Sequence, residues 1–285
     1  MEEGHVRLAY REGPPSEALV PYVKRFYQLR AVPGREVGRS GGLDPADPLL
    51  RRIFPNGDAN LVFDLGPGRG FSSPARPTRS HGRRALALGV LPDPVPVSLS
   101  AGVDLFGVAF GVARAYPFLP VPASGLAGAI VGLAELWGET TRDVETALER
   151  APTFEERVAT LEGALLRRRP DRPPRDADLQ AVLEHVRSVG GRVRVRSLAS
   201  GAGLSRQRFT RWFGDAVGLA PKRFVRLSRL HSLLDRVLGG PVEDWSRLAM
   251  RLGYYDQAHM ISDFRWLTGS SPARFVAVRH AGGRV

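Results

Sequence analysis

Two stretches near the carboxyl end decide the reading. They are SLASGAGLSRQRFTRWFGDAVGLAPKRF, residues 197–224, and RLAMRLGYYDQAHMISDFRWLTGSSPARF, residues 247–275. Leu198, Ala199 and Gly203 of the first return fifty positions later as Leu248, Ala249 and Gly253. After one inserted residue, Ser205, Phe209, Phe213, Gly218, Pro221 and Phe224 return fifty-one positions later as Asp256, Met260, Phe264, Gly269, Pro272 and Phe275. The polar residues between them change while the apolar and glycine register holds. Each copy reads as a short helix, a tight turn and a second helix, the helix-turn-helix pattern of a DNA reader.

The local chemistry supports that pattern. In the first copy a short helix starting at Ser197 buries Leu198 and Ala199, and Gly203 permits the positive φ of the turn. Ser205 then caps the second helix by accepting from free N–H groups of its first turn. Phe209 and Phe213, four apart, face inward, so Arg206, Gln207, Thr210 and Arg211 face outward. Arg can be bidentate to guanine and Gln to adenine, and Thr can meet the thymine methyl. In the second copy Gly253 makes the turn and Asp256 the cap, and Met260 and Phe264 are the inward pair. Gln257, Ala258, Ile261 and Ser262 form its outward set. That face is less polar and suits methyl contact or docking more than base reading. Pro221 starts a longer helix along which Lys222, Arg223, Arg226 and Arg229 put charge. Trp212 and Trp266 read as core or rim packing.

Working outward, 285 residues suffice for two domains, each with its own core. The net charge of +12 is uneven: eighteen Lys and Arg stand against nine Asp and Glu from Asp176 onward, and 23 against 20 before it. The excess lies with the duplicated motif, as an electrostatic footprint for phosphate should. Almost all of it is Arg, with Lys24 and Lys222 the two lysines. A high-GC genome also accounts for Arg over Lys, but not for where the charge sits. The chain has no cysteine, which excludes disulfides, thiolate chemistry and Cys-ligated zinc. MEEGHVRLAY, residues 1–10, lacks a signal-type apolar core. The most apolar region, residues 103–137, is broken by charges and prolines well short of the ~20 apolar residues a membrane helix needs. A soluble cytoplasmic protein without a membrane partner is the expectation.

RRRPDRPPRD, residues 167–176, marks a boundary, since three prolines forbid a continuing helix. The expected division is a sensing or dimerisation domain over 1–170 and a DNA-binding domain over 176–285. Before the boundary, Thr153 and Glu156 fit a capping box for a helix through Leu165. After it, DADLQAVLEHVRSVGG reads as a helix with Gly190 as its C-terminal cap. Upstream of about residue 112 the signals are strand-like: NLVFDL after a PNGD turn, DLFGVAFGV, and the alternation of Val95, Val97 and Leu99. LAGAIVGLAELWG and TTRDVETALERA read as two further short helices. The fold class expected is α+β. Its N-terminal part is a small β-barrel of cupin or jelly-roll type with trailing helices, and its C-terminal part is all-α with two helix-turn-helix units.

The C-terminal hundred residues, about Leu179 to Phe275, resemble the AraC/XylS transcription regulators, with GYYDQAHMISDFRWLTGSSPARF the most specific stretch. The resemblance implies a linker helix at about Lys222 to Val237 that sets two recognition helices into successive major grooves, about 34 Å apart. It implies base contacts from Gln207, Thr210 and Arg211, and from Gln257, Ala258, Ile261 and Ser262. Relatives often place Arg where this chain has Ser262, which weakens the contact expected of the second unit. RIFPNGDANLVFDLG and residues 106–138 look, less specifically, like the sensor domains of that family. The implied partners are double-stranded DNA at a promoter or operator, a small-molecule effector, RNA polymerase and a second copy of the chain. No cofactor is implied. An activator or a repressor fits equally. The helix from Thr153 to Arg168 could form the dimer interface or pack on its own barrel.

Other readings remain. The N-terminal part could dimerise without binding a ligand, or the whole chain could coat DNA non-specifically. A cupin-like metal enzyme would want converging histidines, and residues 1–175 hold only His5 and His81, without ligand spacing. No Ser/His/Asp set or phosphate loop stands out, and GPGRG, residues 66–70, reads as a turn. No enzymatic activity is expected.

Overall fold

The structure is a computed structural model that describes residues 6–33, 52–67, 71–72, 84–99, 102–170, 176–242 and 244–281. His5, His81 and the proline-rich stretch at 171–175 lie outside the described residues. The strands are β1 (Val6–Gly13), β2 (Val23–Pro33), β3 (Arg52–Ile53), β4 (Asn60–Asp64), β5 (Phe71–Ser72), β6 (Ala85–Leu88), β7 (Val95–Pro96), β8 (Ser98–Leu99), β9 (Asp104–Phe110) and β10 (Ile130–Gly132). The helices are α1 (Ala134–Trp137), α2 (Thr140–Glu149), α3 (Phe154–Leu166), α4 (Ala177–Ser188), α5 (Val195–Gly201), α6 (Arg206–Val217), α7 (Pro221–Leu238), α8 (Trp245–Arg251), α9 (Gln257–Thr268) and α10 (Pro272–Ala281). The chain is α+β: an antiparallel sheet leads and helix-turn-helix units follow.

Antiparallel pairing orders the main sheet β1-β2-β9-β4-β6-β10, and β3-β7 and β5-β8 form two short ladders. Alternation along each strand sorts its side chains to two faces. Phe26, Leu61, Phe63, Phe106, Val108 and Phe110 face one way, into a core shared with Leu148, Phe154, Leu161 and Leu165 of α2 and α3. Val62, Leu86, Leu88 and Leu105 face the other way, with Tyr27 and Leu29 beside them. Both faces are apolar because both are covered.

The Thr153–Glu156 capping box forms at the start of α3. That helix is tied to the sheet by Arg157, whose Nη1 donates to both carboxylate oxygens of Asp104 at 2.9 and 3.0 Å. Gln28 Nε2 donates to the same carboxylate at 2.7 Å. So the apolar stripe of α3 packs on its own sheet. The reading of LAGAIVGLAELWG as one helix fails. Ile130–Gly132 pairs with β6 as an edge strand, Leu126 ends a 3-10 turn over Ala123–Leu126, and the α-helix is confined to Ala134–Trp137. Ile130 and Val131 are β-branched, which suits a pleated edge better than a helix.

The carboxyl-terminal helices enclose two cores, and α7 serves both. Phe224, Val225 and Leu227 in its first half join Phe209, Phe213, Leu198 and Leu183. Leu230, Leu233, Leu234 and Val237 in its second half join Met260, Phe264, Leu248 and Phe275. The sheet region reaches each core in turn, since Val90 and Val112 lie in the first and Phe54 packs on the second. Between them the PNGD turn rests on α7. His231 Nε2 donates to Pro55 O at 2.8 Å. Gly57, at φ +84°, leaves room where a β-carbon would stand 3.1 Å from the Phe224 ring.

Candidate nucleic-acid interface

Each unit is built by the same local devices. α5 gives way to a turn at Gly203, φ +65°, and α8 to one at Gly253, φ +74°. In both turns an N–H reaches back five residues to close the loop: Leu204 to Ala199 O and Tyr254 to Ala249 O, each at 3.0 Å. Ser205 Oγ then accepts from Arg208 N at 3.4 Å to cap α6. Asp256 Oδ1 accepts from His259 N at 2.7 Å to cap α9. The charged cap on α9 is shorter and also favours the positive end of the helix dipole. Both helices end on glycines in the left-handed region, Gly218 and Gly269. The first helix of unit one, expected from Ser197, begins two residues earlier at Val195.

The outward sets differ. On α6, Arg206, Gln207, Thr210 and Arg211 are all exposed, and Arg208 beside them is exposed as well. Thr210 Oγ1 donates to Arg206 O at 2.8 Å, which leaves its methyl and oxygen lone pairs for a ligand. On α9, Ala258 and Ser262 are exposed, whereas Gln257 and Ile261 are half-buried. Gln257 Oε1 accepts from Ser246 Oγ at 2.7 Å, so its amide is partly engaged with α8. His259 and Arg265 are exposed polar candidates on α9 that sequence reasoning passed over.

The arginines of α7 are the larger surprise. Lys222 is exposed, as is Arg236 near the far end, but Arg223, Arg226 and Arg229 are committed inward. Arg223 pairs with Asp93, donates through Nε to Pro92 O at 2.8 Å and lies over the Trp266 ring. Arg226 donates to Asp263 Oδ1 through Nε and Nη2 at 3.1 and 2.8 Å, with its guanidinium 4.3 Å from the Trp266 centroid. Arg229 donates to Gly191 O at 3.1 Å and lies over Tyr254. Burial pushes the Tyr254 phenol well above its ordinary pKa, so it stays neutral beneath that cation. The sequence held one signal for this arrangement. Asp263 falls on the inward face of α9 between Met260 and Leu267, and a buried carboxylate there needs a cation. Trp212 and Trp266 are both half-buried, as packing residues should be.

On the sheet face away from α1–α3 lies a cavity of 680 Å³ whose wall includes Leu234 and Leu238 of α7. No helix among the described residues is long and apolar enough to cross a membrane.

Residues 198–277 match the family model of a helix-turn-helix domain, and residues 11–132 that of a domain of unknown function, DUF6597. No protein of curated function matches the chain. Among solved structures, the DNA-binding domain of the global transcriptional factor AdpA in complex with a target DNA is similar at 27% identity. That likeness covers 37% of this chain and 95% of that one, with a TM-score of 0.34. The C-terminal domain of AraT, a response regulator from Geobacillus stearothermophilus, is similar at 16% identity over 36% and 87% of the two chains, TM-score 0.34. ToxT from Vibrio cholerae is similar at 10% identity over 79% and 93%, TM-score 0.44. With its duplicated turns, caps and register, the carboxyl-terminal part of this chain is an AraC-type helix-turn-helix domain, the DNA-binding module of transcription regulators.

Proposed function

We propose that residues 176–285 read duplex DNA by sequence and that residues 1–170 adjust that reading in response to a small molecule. The observation that carries the first half is the row Arg206, Gln207, Thr210 and Arg211. It stands exposed on a capped helix, outside both cores, in the part of the chain that holds most of the net positive charge. α6 does the base reading. α9 contributes Ala258, Ile261, Ser262 and the free donors of Gln257, and acts mainly as a docking element.

Control by an effector is supported by the cavity. Leu234 and Leu238 belong both to its wall and to the helix that joins the two units. A molecule seated there touches the sheet and α7 together. The PNGD turn, with Asn56 and Asp58 in the cavity wall and Pro55 bonded to His231, gives a second route to α7.

The experiment is selection of bound duplexes from a random pool by the full chain, followed by competition against random DNA at rising salt. Phosphate contacts weaken for every sequence alike, whereas a base reader keeps a preference of ~10³ or more for its site. A pool that emerges without a common sequence would refute base reading and leave a non-specific DNA coat.

A further inference from the structure

The turn of unit two is one residue longer than that of unit one. Leu204 and Tyr254 supply the N–H groups that close the two turns, and in unit one the cap Ser205 follows at once. In unit two Tyr255 is interposed before the cap Asp256. Packing gives no account of the extra side chain: Tyr255 is 91% exposed, whereas Tyr254 beside it is buried.

Its place is the entry of α9. A helix-turn-helix unit sets the first turn of its second helix against base edges, so the residue before the cap stands where the sugar–phosphate backbone rims the groove. The first turn of α9 is poorly equipped to hold phosphate itself. In unit one, Arg206 and Arg208 are exposed there behind an uncharged cap. In unit two the cap is the Asp256 carboxylate, which takes the His259 N–H and repels an anion. Gln257 is engaged with Ser246. The His259 ring lies perpendicular to that of Tyr254, with Nε2 4.0 Å from Asp263 Oδ2. A phosphate held at this end of unit two therefore needs a donor from outside the helix.

The turn offers one beside positive charge. Arg192, from the loop after α4, donates through Nη1 to Arg251 O at 3.3 Å. Its Cγ would stand 3.2 Å from a β-carbon at Gly253, so it runs directly past the turn. Arg251, two residues before Gly253, is exposed as well. Tyrosine is among the side chains that hold phosphate oxygens in protein–DNA complexes. We propose that Tyr255 anchors unit two by donating its phenolic O–H to a DNA phosphate at the rim of the groove that α9 enters. The assignment rests on the DNA reading proposed for residues 176–285 and names what unit two docks to.

The test is fluorescence anisotropy of the full chain on the selected duplex and on a duplex of the same length and scrambled sequence. Tyr255→Phe keeps the ring and removes the hydroxyl. It should weaken both complexes by the same factor, about five- to tenfold. A hydroxyl brings no positive charge, so the salt dependence should match that of the unaltered chain. Tyr255→Arg restores a donor and adds a charge. It should recover most of the lost affinity and steepen the slope of log affinity against log salt by about 0.9. Neither variant should shift the melting temperature, because the side chain is exposed. A loss confined to the selected duplex makes Tyr255 a base reader and overturns the assignment. A loss in Tyr255→Ala without one in Tyr255→Phe shows contact by the ring alone and overturns it too. If Tyr255→Phe binds both duplexes as the unaltered chain does, Tyr255 touches no phosphate, while DNA binding itself stands. Should selection yield no common sequence, the scrambled duplex alone still decides between Tyr255→Phe and the unaltered chain. If the unaltered chain binds no duplex, the DNA reading falls and the assignment with it.

Discussion

Positions 212 and 215 of unit one are Trp and Asp, and the matching positions 263 and 266 of unit two are Asp and Trp. The same pair of side chains, exchanged, leads to different constructions. In unit one Trp212 lies half-buried against Phe209, ring centroids 5.7 Å apart, while Asp215 is exposed and α6 closes on Phe209, Phe213 and Phe224. In unit two Asp263 is buried and draws Arg226 from α7, and Trp266 stacks over that guanidinium. The position on α10 that matches Arg226 is Ala277, so unit one receives no such cation from the helix that follows unit two. Duplication preserved a backbone plan and its register. The second copy then became clamped to the linker, and the first kept its polar face free.

Exchanging the two aspartates is the strongest way to break this contrast. Asp263→Ala should destabilise the chain by about 2–3 kcal/mol, because it strips the partner from Arg226. The figure stays at the low end for a buried pair since Arg226 itself is 37% exposed. Asp215→Ala should change stability by about 0.5 kcal/mol or less. Urea denaturation of both variants decides it, and equal losses would mean the clamp does not distinguish the units.

DNA affinity should split the units in the opposite direction. Arg211→Ala should cost roughly 1–3 kcal/mol on the selected duplex and relax preference at one base pair. Ser262→Ala should be nearly silent there. Fluorescence anisotropy on selected and random duplexes checks both: an Arg211→Ala loss that is equal on the two makes it a phosphate contact. A tenfold or larger loss for Ser262→Ala moves base reading into unit two.

The caps give the smallest effect and sharpen the comparison. Loss of an N-cap side chain costs about 1 kcal/mol, and the 2.7 Å bond of Asp256 should carry more of it than the 3.4 Å bond of Ser205. Thermal denaturation should therefore rank Asp256→Ala below Ser205→Ala. The reverse order would show that bond length at the cap is not what sets its contribution.

Much of this was legible in the residues. Helix caps, glycine turns and a four-residue aromatic spacing are local devices, and their repetition at fifty and fifty-one positions placed α5, α6, α8 and α9. What stayed hidden depends on neighbours distant in the chain. Arg223, Arg226 and Arg229 look like solvated charge on a helical wheel, which does not show that Asp93, Trp266, Asp263 and Tyr254 arrive beside them. Ile130–Gly132 is too short for a period of 2 to stand out from one of 3.6, and only β6 makes it a strand. The cavity was illegible for a related reason. Alternation separates two apolar faces but does not reveal which one packs on helices and which encloses space.

The bare α-carbon at position 57 turns the seam between the sheet and the linker into something one codon can pry open. A methyl there is penalised twice, by the left-handed backbone at φ +84° and by the Phe224 ring 3.1 Å from where that methyl would sit. Gly57→Ala is thus a wedge driven between the sheet and α7, against two residues of the first helical core, Phe224 and Val112. It offers a genetic means of loosening the sheet from the linker helix.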